Sequence, residues 1–214
     1  MIPSLPVAYN RPVKMFLDIE TLPADEKDKE TLLDIYTRKS EKSKKDIGSF
    51  EEFLENTGFD GSFGRICCFG YTIEDGPVKS LDGDEAQMLR DFWSAAAPID
   101  LFIGFNIIDF DMRFIYQRSI IQGVKPTKLL NFARYRCEPI YDIMWEWIKW
   151  GNTPKPSLHS LAKALGLKSS KESGIEGKDV AKAFLDGRIK EICKYCEADV
   201  EVTRQIFHKM TFQE

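Results

Sequence analysis

Carboxylates recur in this chain at spacings that put side chains on a common face. Asp18 and Glu20 lie two apart in KMFLDIET; on a strand such a pair leaves one face with Cα atoms roughly 6.5–7 Å apart, close enough for both to reach one cation. Tyr195 and Asp199 lie four apart in YCEAD, a spacing that stacks phenol and carboxylate on one side of a helix. Between these pairs, GFNIIDFD ends in Asp111, where a strand runs off into a helix and where ligands of α/β folds gather. Four such acids meeting in one cleft repel: a pair about 5 Å apart at an effective dielectric near 20 costs on the order of 3 kcal/mol, so without cations some would hold a proton. Oxygen donors with no His or Cys among them select Mg²⁺ or Mn²⁺ over Zn²⁺. Taken singly, each piece has a plainer reading. The Asp-x-Glu pair is then a strand's polar face, the Tyr-x-x-x-Asp pair a half-buried phenol beside a solvated acid, and Asp111 a first-turn acid favoured by the helix dipole, a capping role that Asp109 fits better.

The elements that must position these groups follow from periodicity. Val13, Met15, Leu17 and Ile19 face one way and Lys14, Phe16, Asp18 and Glu20 the other, which predicts a central buried strand over Val13–Glu20. Arg65–Ile73 and Val78–Leu81 flank a Glu74-Asp75-Gly76-Pro77 turn and read as a hairpin. A helix over Asp84–Ala97, a strand over Ile99–Phe105, a helix over Asp109–Gln122 stopped by Gly123 and a short strand near Ile140–Ile143 come next. Helices are expected over Ile143–Trp150, over Ser157–Leu165 between an N-cap at Ser157 and a C-cap at Gly166, over Lys178–Leu185, and over Arg188–Met210. A hairpin, a further strand reached by crossover and covering helices make an α/β domain with a mixed sheet. Ala24–Gly64 joins two strands by about forty residues where a few would serve, so it is an insertion. Leu32, Leu33, Ile35 and Tyr36, then Phe50, Phe53 and Leu54, give it short amphipathic helices around the charged run RKSEKSKKD. That run is a solvated face, with a basic edge along a phosphate backbone as the alternative.

A chain of 214 residues fits one domain, 1–214, able to bury roughly 70% of its unfolded surface. The N-terminal stretch has no apolar run of signal-peptide length, and nowhere do about 18 apolar residues follow one another, so a soluble cytoplasmic protein without membrane contact is expected. Cys67 and Cys68 sit in an apolar strand, and Cys193 and Cys196 have CxxC spacing without a second pair, which favours reduced core thiols over zinc. Trp145, Trp147 and Trp150 read as core residues at helical spacing, with base stacking as the alternative. The net charge of −4 argues against a protein that coats duplex by releasing counterions. It leaves room for one that cradles a chain end, where bound metals reverse the field felt by a phosphate.

Taken in order, FLDIET (16–21), GFNIIDFD (104–111) and YCEAD (195–199) resemble the three motifs of the DEDD superfamily of 3′→5′ exonucleases. The likeness spans about residues 13–207 and points to the tyrosine subgroup, which includes the proofreading domains of B-family DNA polymerases. The histidine subgroup would place His at 194, where this chain has Lys194, while Tyr195 is in register; SLHSLAKALGL ahead of GKDV looks like stand-alone relatives. The chain departs from the pattern at Arg113, where polymerase domains tend to have proline, and in the length of its insertion.

The resemblance implies a ribonuclease H-like fold: a five-stranded mixed sheet with helices on both faces and a helical insertion between the first two strands. It implies a two-metal exonuclease acting at a single-stranded 3′ end, DNA favoured over RNA, with exoribonuclease or a catalytically silent binding module as alternatives. Asp18 would bridge two Mg²⁺ or Mn²⁺ ions, Glu20 and Asp199 complete the first site, and Asp111 hold the second largely through water. Tyr195, a poor base at neutral pH, would orient the nucleophile. Thr21 and Leu22 would meet the terminal sugar and base, and Phe105 and Asn106 the substrate strand; a replication or repair partner goes unidentified.

Overall fold

The computed structural model describes residues 11–170 and 174–213. In chain order its regular elements are β1 (Lys14–Leu22), α1 (Lys29–Lys42), α2 (Phe50–Asn56), β2 (Arg65–Ile73), β3 (Lys79–Asp82), α3 (Glu85–Ala96), β4 (Leu101–Gly104), α4 (Asp111–Ile121), β5 (Ile140–Asp142), α5 (Ile143–Trp147), α6 (Leu158–Ala164), α7 (Val180–Leu185) and α8 (Ile189–Met210). The strands form one mixed five-stranded sheet in the order β3-β2-β1-β4-β5. β1, β2 and β3 pair antiparallel, while β4 runs parallel to β1 and β5 parallel to β4. This is the mixed sheet flanked by helices that the sequence predicts.

β1 lies at the centre and is covered on both sides, as its alternation requires. Met15, Leu17 and Ile19 join Phe69 and the α3 and α4 residues Leu89, Phe92, Met112 and Ile115 in one cluster. Phe16 enters another with Ile103, Leu161, Val200, Ile206 and Phe207. α8 closes that side because its buried residues fall at 192, 193, 195, 196, 199, 200, 202, 203, 206 and 207, the three-and-four spacing of one broad helical stripe. Tyr195 and Asp199 therefore ride on the face turned to the sheet. β2 carries Gly70 opposite Asp18 in the ladder. A Cβ at Gly70 would stand 2.8 Å from Cys196 Sγ and 3.0 Å from Val200 Cγ2, so only glycine lets α8 approach this closely.

The insertion is tied back at both ends. Thr21 Oγ1 donates to Gly58 O at 2.7 Å and Ala24 N–H to Thr57 Oγ1 at 2.8 Å. Farther on, the buried Arg118 holds Glu85 through two hydrogen bonds of 2.9 and 2.7 Å and gives a third, 3.1 Å, to Gly61 O. Within the insertion Tyr36 packs on Phe50 and Phe53. Leu33 and Ile35 are exposed, so α1 presents only Leu32 to the core. The charged run from Arg38 to Lys45 is almost wholly exposed, which is the solvated reading.

Four local expectations are corrected. α4 starts at Asp111, not Asp109, because Asn106 takes a left-handed φ of 59° and the turn after it is closed by Asp109 and Phe110 N–H groups on Asn106 O. Asp109 is then no cap: its carboxylate accepts Arg134 and the Trp145 indole N–H. α5 ends at Trp147, short of Trp150, since Lys149 and Trp150 are also left-handed. Of the three tryptophans only Trp150 packs against the core, itself half-buried; Trp147 is exposed, and Trp145, half-buried, stacks on Trp150.

Replacing Gly70 by alanine should force α8 away from β2. The expected loss is about 1–3 kcal/mol, read as a lower urea midpoint with an unchanged m-value. An unaltered midpoint would mean that the α8–sheet contact yields freely.

Candidate metal centre

Three elements deliver the acidic side chains to one place, the end of β1 where it parts from β4. β1 pairs with β4 only over Lys14–Phe16, while its pairing with β2 runs on to Leu22. Beyond Phe16 the strand's free edge needs partners, and Asp111 supplies one: Ile19 N–H donates to Asp111 Oδ1 at 3.1 Å. Asp111 is thus a first-turn acid of α4 and also faces the acids of β1, so both readings of it describe the same residue. A register shift between Glu20 and Thr21 bulges the β1–β2 ladder at this point, a common device for re-aiming side chains beside a site.

Asp18 and Glu20 leave one face of β1, and Asp199 comes down on them from α8. Glu20, Asp111 and Asp199 are buried, while Asp18 is half-buried and the most open of the four. Burial pushes the Asp18 carboxyl well above the usual carboxylate range, and the charges of Asp111, Asp199 and Glu20 push it further. Glu20 is raised by burial and then by Asp199 and Asp111. Asp111 is raised by burial up to about 7, even though its own N–H and that of Ile19 pull the other way. Carboxylate oxygens of Asp18 and Glu20 lie within 4.8 Å of each other, whereas Asp111 and Asp199 are not part of that close group and bear on both through their charge. No ion pair of the described residues brings a Lys, Arg or His to Asp18, Glu20 or Asp111. A pocket of converging oxygens without a cationic side chain to balance those three acids fits divalent cations.

Tyr195 lies beside the acids. Its phenol hydrogen-bonds Asp199, and burial together with Asp199, Glu20 and Asp18 holds it above the ordinary phenol range, so it stays protonated. Thr21 and Leu22 continue β1. The Thr21 hydroxyl is spent on Gly58, and the Leu22 side chain is buried with Cys67, Cys68, Ile175 and Val180. Phe105 and Asn106 sit past the end of β4, Phe105 against the second cluster and Asn106 in its left-handed turn.

Two residues of this centre carry no role in the sequence reading. Cys196 belongs to it, its Sγ lying within 4.8 Å of carboxylate oxygens of Asp18 and Glu20. The expectation of an acid cluster without cysteine is therefore corrected. Burial holds this sulfur as a thiol, and it reaches Asp18 O and Oδ2 at 3.5 Å as a donor that steadies the acid. Its position between Tyr195 and Asp199 is the one local signal of this. Asp142, wholly buried at the end of β5, is the second: Oδ1 accepts Asn106 N–H at 3.2 Å, Oδ2 accepts Ile108 N–H at 3.0 Å, and the same carboxylate caps α5 through Trp145 N–H. It fixes the loop that leads into Asp111. An acid just before an apolar helix is an N-cap signal, although nothing local points to the loop it holds.

A family model described as a predicted 3′-5′ exonuclease related to the exonuclease domain of PolB matches residues 70–214, a span that contains Asp111, Tyr195 and Asp199 and leaves out Asp18 and Glu20. An uncharacterised protein of Methanocaldococcus jannaschii is 32% identical over 85 residues, which cover 39% of this chain and 46% of that protein. The structure of the family B DNA polymerase from the hyperthermophilic archaeon Pyrobaculum calidifontis superposes on 94% of this chain with a TM-score of 0.60 at 15% identity. The match takes up 25% of the polymerase, and at that identity the likeness is one of fold, the ribonuclease H-like arrangement of a polymerase exonuclease domain. With its match over more than half its length, the chain belongs to the family of predicted 3′-5′ exonucleases related to the exonuclease domain of PolB.

Proposed function

We propose that this chain is a 3′→5′ exonuclease that removes nucleotides from the 3′ end of single-stranded nucleic acid, DNA in preference to RNA, using two Mg²⁺ or Mn²⁺ ions held by Asp18, Glu20, Asp111 and Asp199. The observation that supports the reading is that buried acids from α4 and α8, Asp111 and Asp199, bear by their charge on the Asp18–Glu20 pair of β1, in a member of an exonuclease-related family. Bound cations supply the positive charge that lets water attack phosphorus at neutral pH and that stabilises the leaving 3′ oxygen.

The chain's own residues have separable tasks. Asp18 is the most open acid and feels the other three, so it would be a principal ligand of the cations. Asp111 has one oxygen committed to Ile19 N–H, which would leave the other to help hold a cation. Tyr195, kept protonated, gives its one O–H to Asp199 and would orient the attacking water by accepting a hydrogen bond from it; it is no base. Asn106 and Phe105 meet the substrate strand, while Thr21 and Leu22 meet the terminal nucleotide, Leu22 through its backbone because its side chain is packed away.

End-labelled single-stranded DNA and RNA, incubated with Mg²⁺, Mn²⁺ or chelator, should shorten stepwise from the 3′ end with either metal and not with chelator. Asp18→Ala and Asp199→Ala should each lose several orders of magnitude in rate while remaining folded, and Tyr195→Phe on the order of 10²-fold, the size of one positioned hydrogen bond. Equal rates in wild type and all three variants would end the assignment.

The acids also set a pH dependence. The folded pKa values of Asp18, Glu20 and Asp111 lie above the unfolded ones, so the folded chain binds more protons, and stability in chelator falls as pH rises from about 4 through about 7, the value reached by Asp111. Metal binding displaces those protons, so the rise in melting temperature given by Mn²⁺ should be larger at alkaline than at mildly acid pH. A melting temperature in chelator that climbs over this range, or ignores Mn²⁺, contradicts a shared metal centre.

A further inference from the structure

Beside the metal centre lies an aromatic and basic cluster that the carboxylate chemistry does not use. Trp145 and Trp150 stack with ring centroids 5.2 Å apart and planes 8° from parallel. Lys155 Nζ lies 4.1 Å from the centroid of Trp145, and the Arg134 guanidinium carbon 5.4 Å. Tyr135, 76% exposed, leans on Trp150 with centroids 5.3 Å apart and is the open end of the pile. Trp150 is seated against the core and Trp145 is half-buried, while Tyr135 is left at the surface. Tyr135, Lys149 and Trp150 moreover hold left-handed φ values of 65°, 50° and 59°, a conformation that costs a residue with a Cβ roughly 1 kcal/mol or more.

The charge around the rings has the opposite sign to the chain's net −4. Arg113, Arg134, Lys149 and Lys155 are all exposed and all linked to the cluster by contact. The acids among them are already engaged, Asp109 by Arg134 and the Trp145 indole, Glu146 by Lys149 and the Trp150 indole. The cluster is also continuous with the metal centre. Asp142 Oδ1 accepts both Asn106 N–H and Trp145 N–H, so the loop into Asp111 and the first turn beneath the platform hang from one carboxylate.

Flat rings with an open face, interleaved with guanidinium and ammonium groups, suit a strand whose bases are unpaired and whose phosphates need neutralising. A duplex hides those base faces. We propose that Tyr135, backed by Trp150 and Trp145 and flanked by Arg134 and Lys155, receives unpaired nucleotides on the 5′ side of the terminal residue held at the carboxylates. The inference rests on the exonuclease reading for the direction in which the strand lies. It assigns Tyr135 to stacking and Lys155 and Arg134 to the backbone, and it gives the site a requirement for length.

The test uses the full chain and measures Kd for a dinucleotide and for octamers of thymidylate and uridylate whose 3′-terminal linkage is a phosphorothioate, which resists cleavage. Wild type should bind the octamers more tightly than the dinucleotide, and a preference for either sugar supports the platform equally. Tyr135→Ala should raise the octamer Kd about tenfold, the loss of one stacked base. Lys155→Ala should raise it several-fold and lower the salt slope by about 1. Both variants should leave the dinucleotide Kd unchanged. Octamer constants equal to wild type in both variants, a wild type that gains nothing from length, or a parallel loss for dinucleotide and octamer would overturn the proposal. Shortening of an end-labelled strand by wild type is a separate readout. Its presence alongside unaltered octamer binding rejects the platform alone, and its absence alongside the predicted binding losses rejects the exonuclease reading alone.

Discussion

Like charges confined at low dielectric set the terms for this molecule. Asp111 and Asp199 disfavour ionisation of Asp18 and Glu20, Glu20 adds to this at Asp18 and Asp199 at Asp111, and burial makes that repulsion stronger than it would be in water. Left to themselves, side chains in such a relation would turn outward. They stay because each is mounted on an element that cannot turn without breaking the core: β1 at the middle of the sheet, α4 pinned by Met112 and Ile115, and α8 seated along its length on Val200, Ile206 and Phe207.

The remaining architecture can be understood as holding those mounts at the right distance. Gly70 sets how near α8 comes to β2, and the Cys196 thiol uses that closeness to reach Asp18. On the other side of the sheet, the buried Arg118–Glu85 pair anchors the return of the insertion through Gly61 and so fixes the start of β2. A buried ion pair is weak evidence of net stability, but losing one partner would leave a charge stranded in the core. Its worth here is geometric, since Glu85 also accepts the Ile66 N–H at 2.7 Å, one residue into β2.

Much of this is legible in the sequence where the determining pattern is local. The alternation from Val13 to Glu20 is visible because neighbouring residues face opposite layers, and the stripe of α8 because residues three and four apart share a face. Ser157 declares the start of α6 with a complete capping box. What the sequence hides is set by residues far apart along the chain. Asp109 satisfies every local rule for a cap, yet Arg134 and Trp145 claim it from 25 and 36 residues away. Helical spacing alone would bury Trp150, but the left-handed turn at Lys149 carries its ring back onto Trp145. Cys196 looks like any core thiol until β1, 178 residues earlier, is laid beside it.

The parting of β1 from β4 after Phe16 has a further consequence. A cleft made by two strands diverging, with the exposed edge stitched to Asp111 through Ile19, is part of the sheet itself, and neither a loop nor a lid has to swing for it to exist. The entropic penalty of gathering its donors is therefore met during folding, before any ligand arrives, which is what preorganisation means in a catalytic framework. Such a hollow survives as long as the sheet does, so thermal loss of the binding geometry and global unfolding should be one event.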